Sequence, residues 1–229
     1  MKEADLLEQF PRLWHMAEDG SWDSIRKHGL LSTSKLLDLH KVTGDERFAL
    51  ESQRRPKSVK ITANGREVAT VRDNIPMRDS QLAKCLAPNI TPKEWFELLN
   101  KRAFFWLSRD RLRTLLNAKA YRGRPQTVLT VDTAKLVNAH RDRIQLSPIN
   151  SGATLYNPQP RGHDTFKSIA DYPFDERRKT RKIMDSIAEL VVIDGVPDVK
   201  NHLVAVHAVD KGVATELWRC PGTAEDDGP

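Results

Sequence analysis

A strongly basic strip between residues 101 and 124 is the segment whose composition points most directly to chemistry. It holds eight lysines and arginines against one acid, Asp110. Its candidates for nucleic-acid binding are Arg109, Arg113, Arg122 and Arg124. Its aromatic residues are Phe104, Phe105, Trp106 and Tyr121. Such a strip could follow a phosphate backbone while its rings stack on bases. The alternative is an amphipathic helix with a solvated arginine face, next to aromatic residues that pack in the core.

Three polar residues stand at positions where the local pattern favours apolar ones. His15 interrupts the apolar segment LWHMA, Glu189 opens the apolar segment ELVVID, and Arg72 follows an alternating segment. A carboxylate at the start of a buried strand is costly unless it is solvated or paired. Each residue also has an ordinary interpretation: a satisfied histidine, an acid at a strand end, and a surface or ion-paired arginine. None of the three indicates a site by itself.

Several classes of site lack their sequence signatures. The chain contains no GxGxxG or GxxxxGK[ST] loop, so neither a Rossmann nor a P-loop phosphate site is indicated. It also lacks the GxSxG elbow of many Ser/His/Asp hydrolases. Two cysteines, Cys85 and Cys220, form no CxxC pair and no disulfide framework. We therefore expect no metal site, and any nucleotide must be bound by another arrangement.

The composition is that of a soluble, basic chain. Its 229 residues carry 37 Lys and Arg against 31 Asp and Glu, a formal net charge of +6. Charged residues make up 30%, and no apolar run approaches the roughly 20 residues of a membrane-spanning helix. The segment MKEADLLEQF carries acids where a secretion signal would carry positive charge and an apolar block. We expect a cytoplasmic protein without a membrane partner.

The order of predicted elements favours an α+β domain over a repeating βαβ fold, because helices dominate early and strands late. We predict strands or hairpins at residues 12–16, 58–72, 103–107, 127–132, 144–149, 188–194, 201–209 and 213–219. We predict helices after Ser21, after Thr33 or Ser34, from Thr91 to about Lys101, and at 109–120, 133–143 and 174–186. The dipeptide Asn64-Gly65 predicts a two-residue turn inside the hairpin.

Taken in chain order, three segments resemble the mono-ADP-ribosyltransferase superfamily, and particularly its DarT-like branch of DNA-modifying bacterial toxins. LWHMAEDGSWDSIRKHGLLST is similar to the family's opening strand, short helix and GLL turn. AFFWLSRDRL resembles the second core strand and the helix that follows it. AELVVIDGVPDV resembles the strand that carries the catalytic glutamate. The resemblance implies an α+β fold with an ADP-ribosyltransferase-like split β-sheet core and peripheral helices.

The same resemblance assigns roles to individual residues. It implies Glu189 as the catalytic carboxylate, and Arg72, or alternatively Arg78, near the phosphates of NAD. It implies NAD contacts at His15, Leu31, Ser32 and either Phe105 or Trp106. Transfer from NAD passes through an oxocarbenium-like ribosyl cation, which a carboxylate stabilises. Ile187 stands two residues before Glu189, so the Glu-x-Glu mark of arginine-directed toxins is absent.

The resulting hypothesis is one ADP-ribosyltransferase-like domain over residues 1–221, followed by a disordered acidic tail over 222–229. It would use NAD as co-substrate without a metal and modify a nucleic acid, DNA in preference to RNA, as a toxin or defence effector that an antitoxin could accompany. A second hypothesis is a non-catalytic nucleic-acid-binding domain. A third keeps NAD but changes the reaction, to NAD hydrolysis or removal of an RNA 2′-phosphate.

Overall fold

Twelve strands and ten helices are present in the computed structural model, which describes residues 1–63 and 66–229. The strands are β1 (Arg12–Glu18), β2 (Leu30–Leu31), β3 (Val59–Ala63), β4 (Arg66–Val71), β5 (Arg102–Trp106), β6 (Gln126–Asp132), β7 (Ile144–Ser147), β8 (Lys167–Ser168), β9 (Glu189–Ile193), β10 (Gly195–Val196), β11 (Leu203–Asp210) and β12 (Val213–Arg219). The helices are α1 (Glu3–Gln9), α2 (Trp22–His28), α3 (Thr33–Leu39), α4 (Gly44–Glu51), α5 (Asp79–Cys85), α6 (Pro92–Asn100), α7 (Arg109–Leu116), α8 (Thr133–His140), α9 (Phe174–Arg178) and α10 (Ile183–Ser186).

Eight strands form one antiparallel sheet in the order β12-β11-β6-β1-β5-β9-β7-β8. At its centre, β1 pairs with β6 along its whole length, from Arg12 to Glu18. On the other side, β1 meets β5 at a single register position, Trp14 with Trp106. The sheet therefore consists of two four-stranded halves joined at one point. The predicted α+β class is confirmed.

The alternation of side chains along the strands builds a core on each face of the sheet. On β6, Leu129 and Val131 belong to the larger core, whereas Val128 packs on the opposite face. Helix α7 covers that opposite face with Leu112, which is fully buried. The amphipathic helix predicted within the basic strip is confirmed, although it ends at Leu116.

Helix starts follow local capping chemistry. Thr91 and Glu94 form the predicted capping box at the start of α6. The side chain of Ser108 caps α7 by accepting a hydrogen bond from the Arg111 N–H, as predicted. The prediction of Thr33 or Ser34 as the cap of α3 is wrong. Ser32 caps that helix, because its extended backbone lets its hydroxyl accept from the Lys35 N–H.

Two further predictions concern the basic helix and the hairpin. The helix predicted at 174–186 is wrong as one element, since α9 and α10 are separate helices. Like charges four residues apart, at Arg177 with Arg181 and at Arg178 with Lys182, disfavour a continuous helix. Strands β3 and β4 form the predicted hairpin, while the predicted Asn64-Gly65 turn lies outside the described residues.

No helix in the described part of the chain combines the length and apolarity needed to cross a membrane.

A two-stranded pairing of β2 with β10 ties the segment after α2 to the segment after β9. Gly29 precedes β2 with a φ of 85°, and a Cβ there would meet the backbone of Pro197. Gly195 has a φ of 92°, and a Cβ there would meet the backbone of Leu30 and Leu31. The close approach of these two strands therefore requires glycine at both positions.

We expect Gly29→Ala to lower the free energy of unfolding by at least about 2 kcal/mol, since it combines a disfavoured backbone conformation with a backbone clash. Gly20→Ala is the matched control, because Gly20 has a φ of 72° but open space around its Cβ position. It should cost only about 1 to 2 kcal/mol. Urea unfolding of both variants measures the difference, and equal losses would show that the contact with Pro197 is not restrictive.

Candidate functional site

A cavity of about 320 Å³ opens where β1 parts from β5. Residues from both halves of the sheet line it, together with side chains from β2, β4, α2 and α6. The candidates from the sequence that line this cavity are His15, Leu31, Arg72, Trp106 and Glu189. Of the two alternative arginines, Arg72 is among the lining residues and Arg78 is not. Residues far apart in the chain therefore share one enclosed space.

Glu189 is the first residue of β9 and lies beside Trp106 in the sheet register. Its side chain is buried, with 3% of the residue exposed. The carboxylate accepts hydrogen bonds from the Ser151 hydroxyl at 2.7 Å and from the Ser151 N–H at 3.1 Å. Burial raises the pKa of Glu189 to about 7, although these hydrogen bonds and the charge of Arg161 act in the opposite direction. Near neutral pH this carboxyl group is poised between its two protonation states.

His15 bridges the two strands where their backbone pairing stops. Its Nδ1 lies 2.8 Å from the carbonyl oxygen of Phe104. Because a carbonyl only accepts, Nδ1 carries the proton and Nε2 of the neutral ring is an acceptor. Burial and the charge of Arg72 lower the pKa of His15 to about 4, against the opposite effect of the hydrogen bond to Phe104. The cavity therefore contains a neutral imidazole with a fixed tautomer.

Arg72 follows β4 and places a guanidinium group in the cavity wall. It donates to the carbonyl of Met16 at 3.3 Å and lies 4.7 Å above the ring of Tyr121. Its Nη2 is buried and has no hydrogen-bond partner among the described residues. A buried N–H without an acceptor is costly, and an entering anionic oxygen would satisfy it. Arg72 is thus the cavity's best anion-binding group.

A polar network next to Arg72 fixes the segment that follows α7. Asp73 accepts from Tyr121 Oη at 3.0 Å and from Arg124 Nη1 at 2.9 Å, and Arg124 also bonds Glu18. Burial alone would raise the pKa of Asp73, but the bonds from Arg124 and Tyr121 help to lower it below its usual value. Arg124, a nucleic-acid candidate from the sequence, is therefore engaged with two carboxylates beside the cavity.

The remaining sequence candidates lie elsewhere. Phe105 is 1% exposed and belongs to the main core, so Trp106 is the aromatic candidate that lines the cavity. Ser32 is buried as the cap of α3. Arg109 and Arg113 border a separate surface groove on α7. Arg122 is exposed and has no ion-pair partner in the described part of the chain.

Sequence reasoning missed Ser151 and Arg161, which support Glu189. The Asn-Ser-Gly segment at 150–152 carries an ordinary turn signal, so nothing in it indicated a carboxylate partner. Arg161 is 3% exposed and donates to the carbonyls of Ser151 at 3.0 Å and Ala153 at 2.9 Å. A buried arginine bonded to loop carbonyls therefore holds the residue that orients Glu189.

A cluster of His140, Asp198 and His202 lies outside this cavity and has ligand atoms within 4.8 Å of one another. Asp198 bonds Nε2 of His140 at 2.7 Å and Nε2 of His202 at 3.1 Å. Arg143 lies 2.6 Å from Nδ1 of His140. A metal-bound histidine needs an acceptor at its second nitrogen, and Arg143 is only a donor. The geometry favours a structural hydrogen-bond cluster over a metal site.

The site and fold define an α+β protein whose cavity contains a buried carboxyl, a neutral imidazole and a guanidinium group with one nitrogen unpartnered among the described residues. Residues 11–203 match the model of DUF7002, described as a family of unknown function. The chain belongs to this family, and the matched range includes His15, Arg72 and Glu189. No curated protein matches the chain.

The raised pKa of Glu189 makes the stability of the protein depend on pH. Between about pH 4.5 and 7 the folded chain holds this proton more tightly than the unfolded chain, so stability falls as pH rises. We expect Glu189→Gln to remove this dependence. Relative to the wild type, the free energy of unfolding of this variant should rise by about 3 kcal/mol between about pH 4.5 and 7. Below that range, the difference between the two proteins should not change with pH.

Urea unfolding at a series of pH values measures this effect. Glu8→Gln, which changes an exposed acid, is the matched control and should shift the pH curve little. A pH-independent difference between wild type and Glu189→Gln would show that the carboxyl titrates near its ordinary pKa.

Proposed function

We propose that the protein is an NAD-dependent mono-ADP-ribosyltransferase that modifies a nucleic acid. The observation that carries this proposal is the convergence of His15, Arg72 and Glu189 on one cavity. The resemblance to ADP-ribosyltransferases implied a role toward NAD for each of them. Nothing in their sequence separation requires that they meet, so their common position supports the resemblance.

The sheet supports the same proposal. Its two four-stranded halves share one register position, Trp14 with Trp106, and the cavity lies at their divergence. This arrangement agrees with the split β-sheet core that the resemblance implies. The two leucines of the GLL segment form β2, and Leu31 lies in the cavity wall. We therefore interpret the cleft between the halves as the NAD site.

The chemistry of the lining fits NAD. The unpartnered Nη2 of Arg72 suits a pyrophosphate oxygen, since guanidinium groups bind phosphates through charge-assisted hydrogen bonds. The acceptor Nε2 of His15 suits a ribose hydroxyl. Trp106 offers a ring for stacking on nicotinamide. Together, these three side chains provide one partner each for the pyrophosphate, the ribose and the nicotinamide of NAD.

NAD supplies an ADP-ribosyl group whose anomeric carbon gains positive charge as neutral nicotinamide leaves. Glu189 stabilises that charge with its carboxylate, which Ser151 holds in place through two hydrogen bonds. Arg161 fixes the Ser151 loop, so the carboxylate needs little reorganisation during the reaction. Because the pKa of Glu189 is about 7, the ionised and active form accumulates above neutral pH.

Nucleic acid is the proposed acceptor because exposed positive charge lies on α7 and in the segment after it, and Leu115 of α7 lines the cavity. Arg113 and Arg122 are exposed and have no ion-pair partner among the described residues, and both follow the strand that carries Trp106. Such charges attract a phosphate backbone and leave its bases free to enter the site. DNA is preferred to RNA, and a cytoplasmic toxin with an antitoxin is the setting that the resemblance implies.

The test is incubation with labelled NAD and, separately, single-stranded DNA, duplex DNA, RNA and total protein. We expect label on DNA together with nicotinamide release, and a rate that rises with pH around 7 as Glu189 ionises. Glu189→Gln should lower the rate about 100-fold or more, because the replacement keeps the shape and removes the charge. Glu46→Gln, an exposed acid on α4, should leave the rate unchanged.

Other results would select other functions. Nicotinamide release without stable label would indicate NAD hydrolysis or the RNA 2′-phosphotransferase reaction. Label on protein alone would overturn the nucleic-acid acceptor. If neither product appeared while DNA still bound in a salt-dependent way, the protein would be a binding domain without this activity.

Arg72→Met tests the NAD site independently of the reaction. We expect NAD binding, measured by titration calorimetry, to weaken about 10- to 100-fold, as charge-assisted hydrogen bonds contribute about 1.5 to 3 kcal/mol. Arg26→Met is the matched control, since the Arg26 side chain is 58% exposed and pairs only with Asp23 in the described structure. Unchanged NAD affinity in a folded Arg72→Met variant would exclude Arg72 from the site.

A further inference from the structure

A second groove lies beside α7 and shares no lining residue with the main cavity. We call it the tail groove and define it by Arg109, Arg113 and Arg219, which line it. Arg12 is not among the lining residues but bonds the tail at Asp227. Among residues 222–229, for which the sequence predicts disorder, the groove is lined by Glu225, Asp226, Gly228 and Pro229. Its walls also include His207 and Glu216 from the β11–β12 pair. An acidic segment of the chain thus lies against a basic surface of the same chain.

The contacts between the tail and the groove are mostly backbone contacts. Arg12 holds Asp227 through two bonds, Nε to Oδ1 at 3.1 Å and Nη2 to Oδ2 at 3.3 Å. Arg109 donates to the backbone carbonyl of Asp226, and Arg219 donates to the carbonyls of Ala224 and Glu225. Within the described structure, the carboxylates of Glu225 and Asp226 form no ion pair. The tail therefore covers the groove but neutralises only part of its positive charge.

Two groove arginines lack an anionic partner in the described part of the chain. Arg109 lies 5.7 Å from the ring of Trp14, and its Nε is buried without a hydrogen-bond partner. Arg113 is exposed and unpaired. These arginines stand one helical turn apart on α7, about 6 Å along the axis, where like charges destabilise the helix. A chain of phosphates along this face would relieve that repulsion.

The groove and the main cavity share structural elements. Leu115, also on α7, lines the main cavity. Trp14, beneath Arg109, lies opposite Trp106, which lines the cavity as well. A polymer held along the outer side of α7 is therefore adjacent to the opening between the halves of the sheet. The groove is placed to hold an acceptor whose reacting part enters that opening.

We propose that the tail groove binds the phosphate backbone of a nucleic-acid strand, and that acidic residues 225–227 occupy the groove when no strand is bound. This inference rests on the proposed nucleic-acid acceptor and locates its binding surface. It narrows the basic strip of the sequence to Arg109 and Arg113, joined by Arg219 from β12. The acidic segment, which is part of the same chain, competes with the nucleic-acid strand for the groove.

The test compares two full-length triple variants that change the net charge equally. One neutralises the tail by Glu225→Gln, Asp226→Asn and Asp227→Asn. The control neutralises three exposed acids elsewhere by Glu8→Gln, Asp45→Asn and Asp210→Asn. Fluorescence anisotropy with labelled 20-nucleotide oligothymidylate measures affinity at low and moderate salt. We expect the tail variant to bind at least fivefold more tightly than the wild type, and the control less than twofold.

Removing groove charge should have the opposite effect. Arg113→Ala, at a side chain with no hydrogen bond or ion pair in the described structure, should weaken binding several-fold and reduce the salt slope by about one. Arg26→Ala, at an exposed arginine of α2, is its control. Both proteins should keep the wild-type melting temperature, so that a loss of affinity reports the contact.

The outcomes separate this proposal from the enzymatic one. If the tail variant and its control bind equally, or the tail variant binds more weakly, the groove proposal is overturned while label transfer to DNA still stands. If no form binds the oligonucleotide, both the groove and the nucleic-acid acceptor are overturned. Nicotinamide release from NAD would then still test the reaction itself.

Discussion

Where β1 parts from β5, backbone groups lose their partners in the sheet and must form other hydrogen bonds. The arrangement of the site depends on these replacement bonds. Within a paired sheet, the carbonyls of Met16 and Phe104 could be satisfied by neighbouring strands. Here Arg72 donates to Met16 and His15 donates to Phe104. The side chains that complete the divided sheet are thus also those that line the cavity. In each residue, one nitrogen bonds a backbone carbonyl, while another, Nε2 of His15 or Nη2 of Arg72, makes no hydrogen bond among the described residues.

This arrangement stores unfavourable free energy at the site. A carboxylate in an apolar setting loses hydration, and an arginine N–H without an acceptor loses a hydrogen bond. The two hydrogen bonds from Ser151 only partly compensate Glu189, whose pKa remains raised. The extensive core, with fully buried residues on both faces of the sheet, supplies the stability that tolerates this cost. Such local cost is typical of functional sites, where bound ligand supplies the missing partners.

The sequence predicted those parts of the fold that depend on local chemistry. The capping box at Thr91, the cap at Ser108 and the alternating strands follow from neighbouring residues, so they were accessible. The division of the predicted helix at 174–186 into α9 and α10 agrees with repulsion between like charges, which the predicted pattern of elements does not include. In the site, His15 and Glu189 are distinguished in the sequence as polar residues within apolar segments, a pattern that assigns them no role by itself. The approach of Ser151 to Glu189 depends on a loop 38 residues earlier in the chain, and a turn signal carries no information about such a contact.

Arg161 reaches the Ser151 loop through main-chain oxygens alone, at Ser151, Ala153 and Gln159. Every residue type offers that oxygen, so the support of the carboxylate imposes no identity on positions 153 and 159. The residue type is constrained at the donor, Arg161, because lysine cannot reproduce the several divergent N–H groups of a guanidinium. The geometry of the site therefore depends on one buried arginine and not on the side chains at positions 153 and 159.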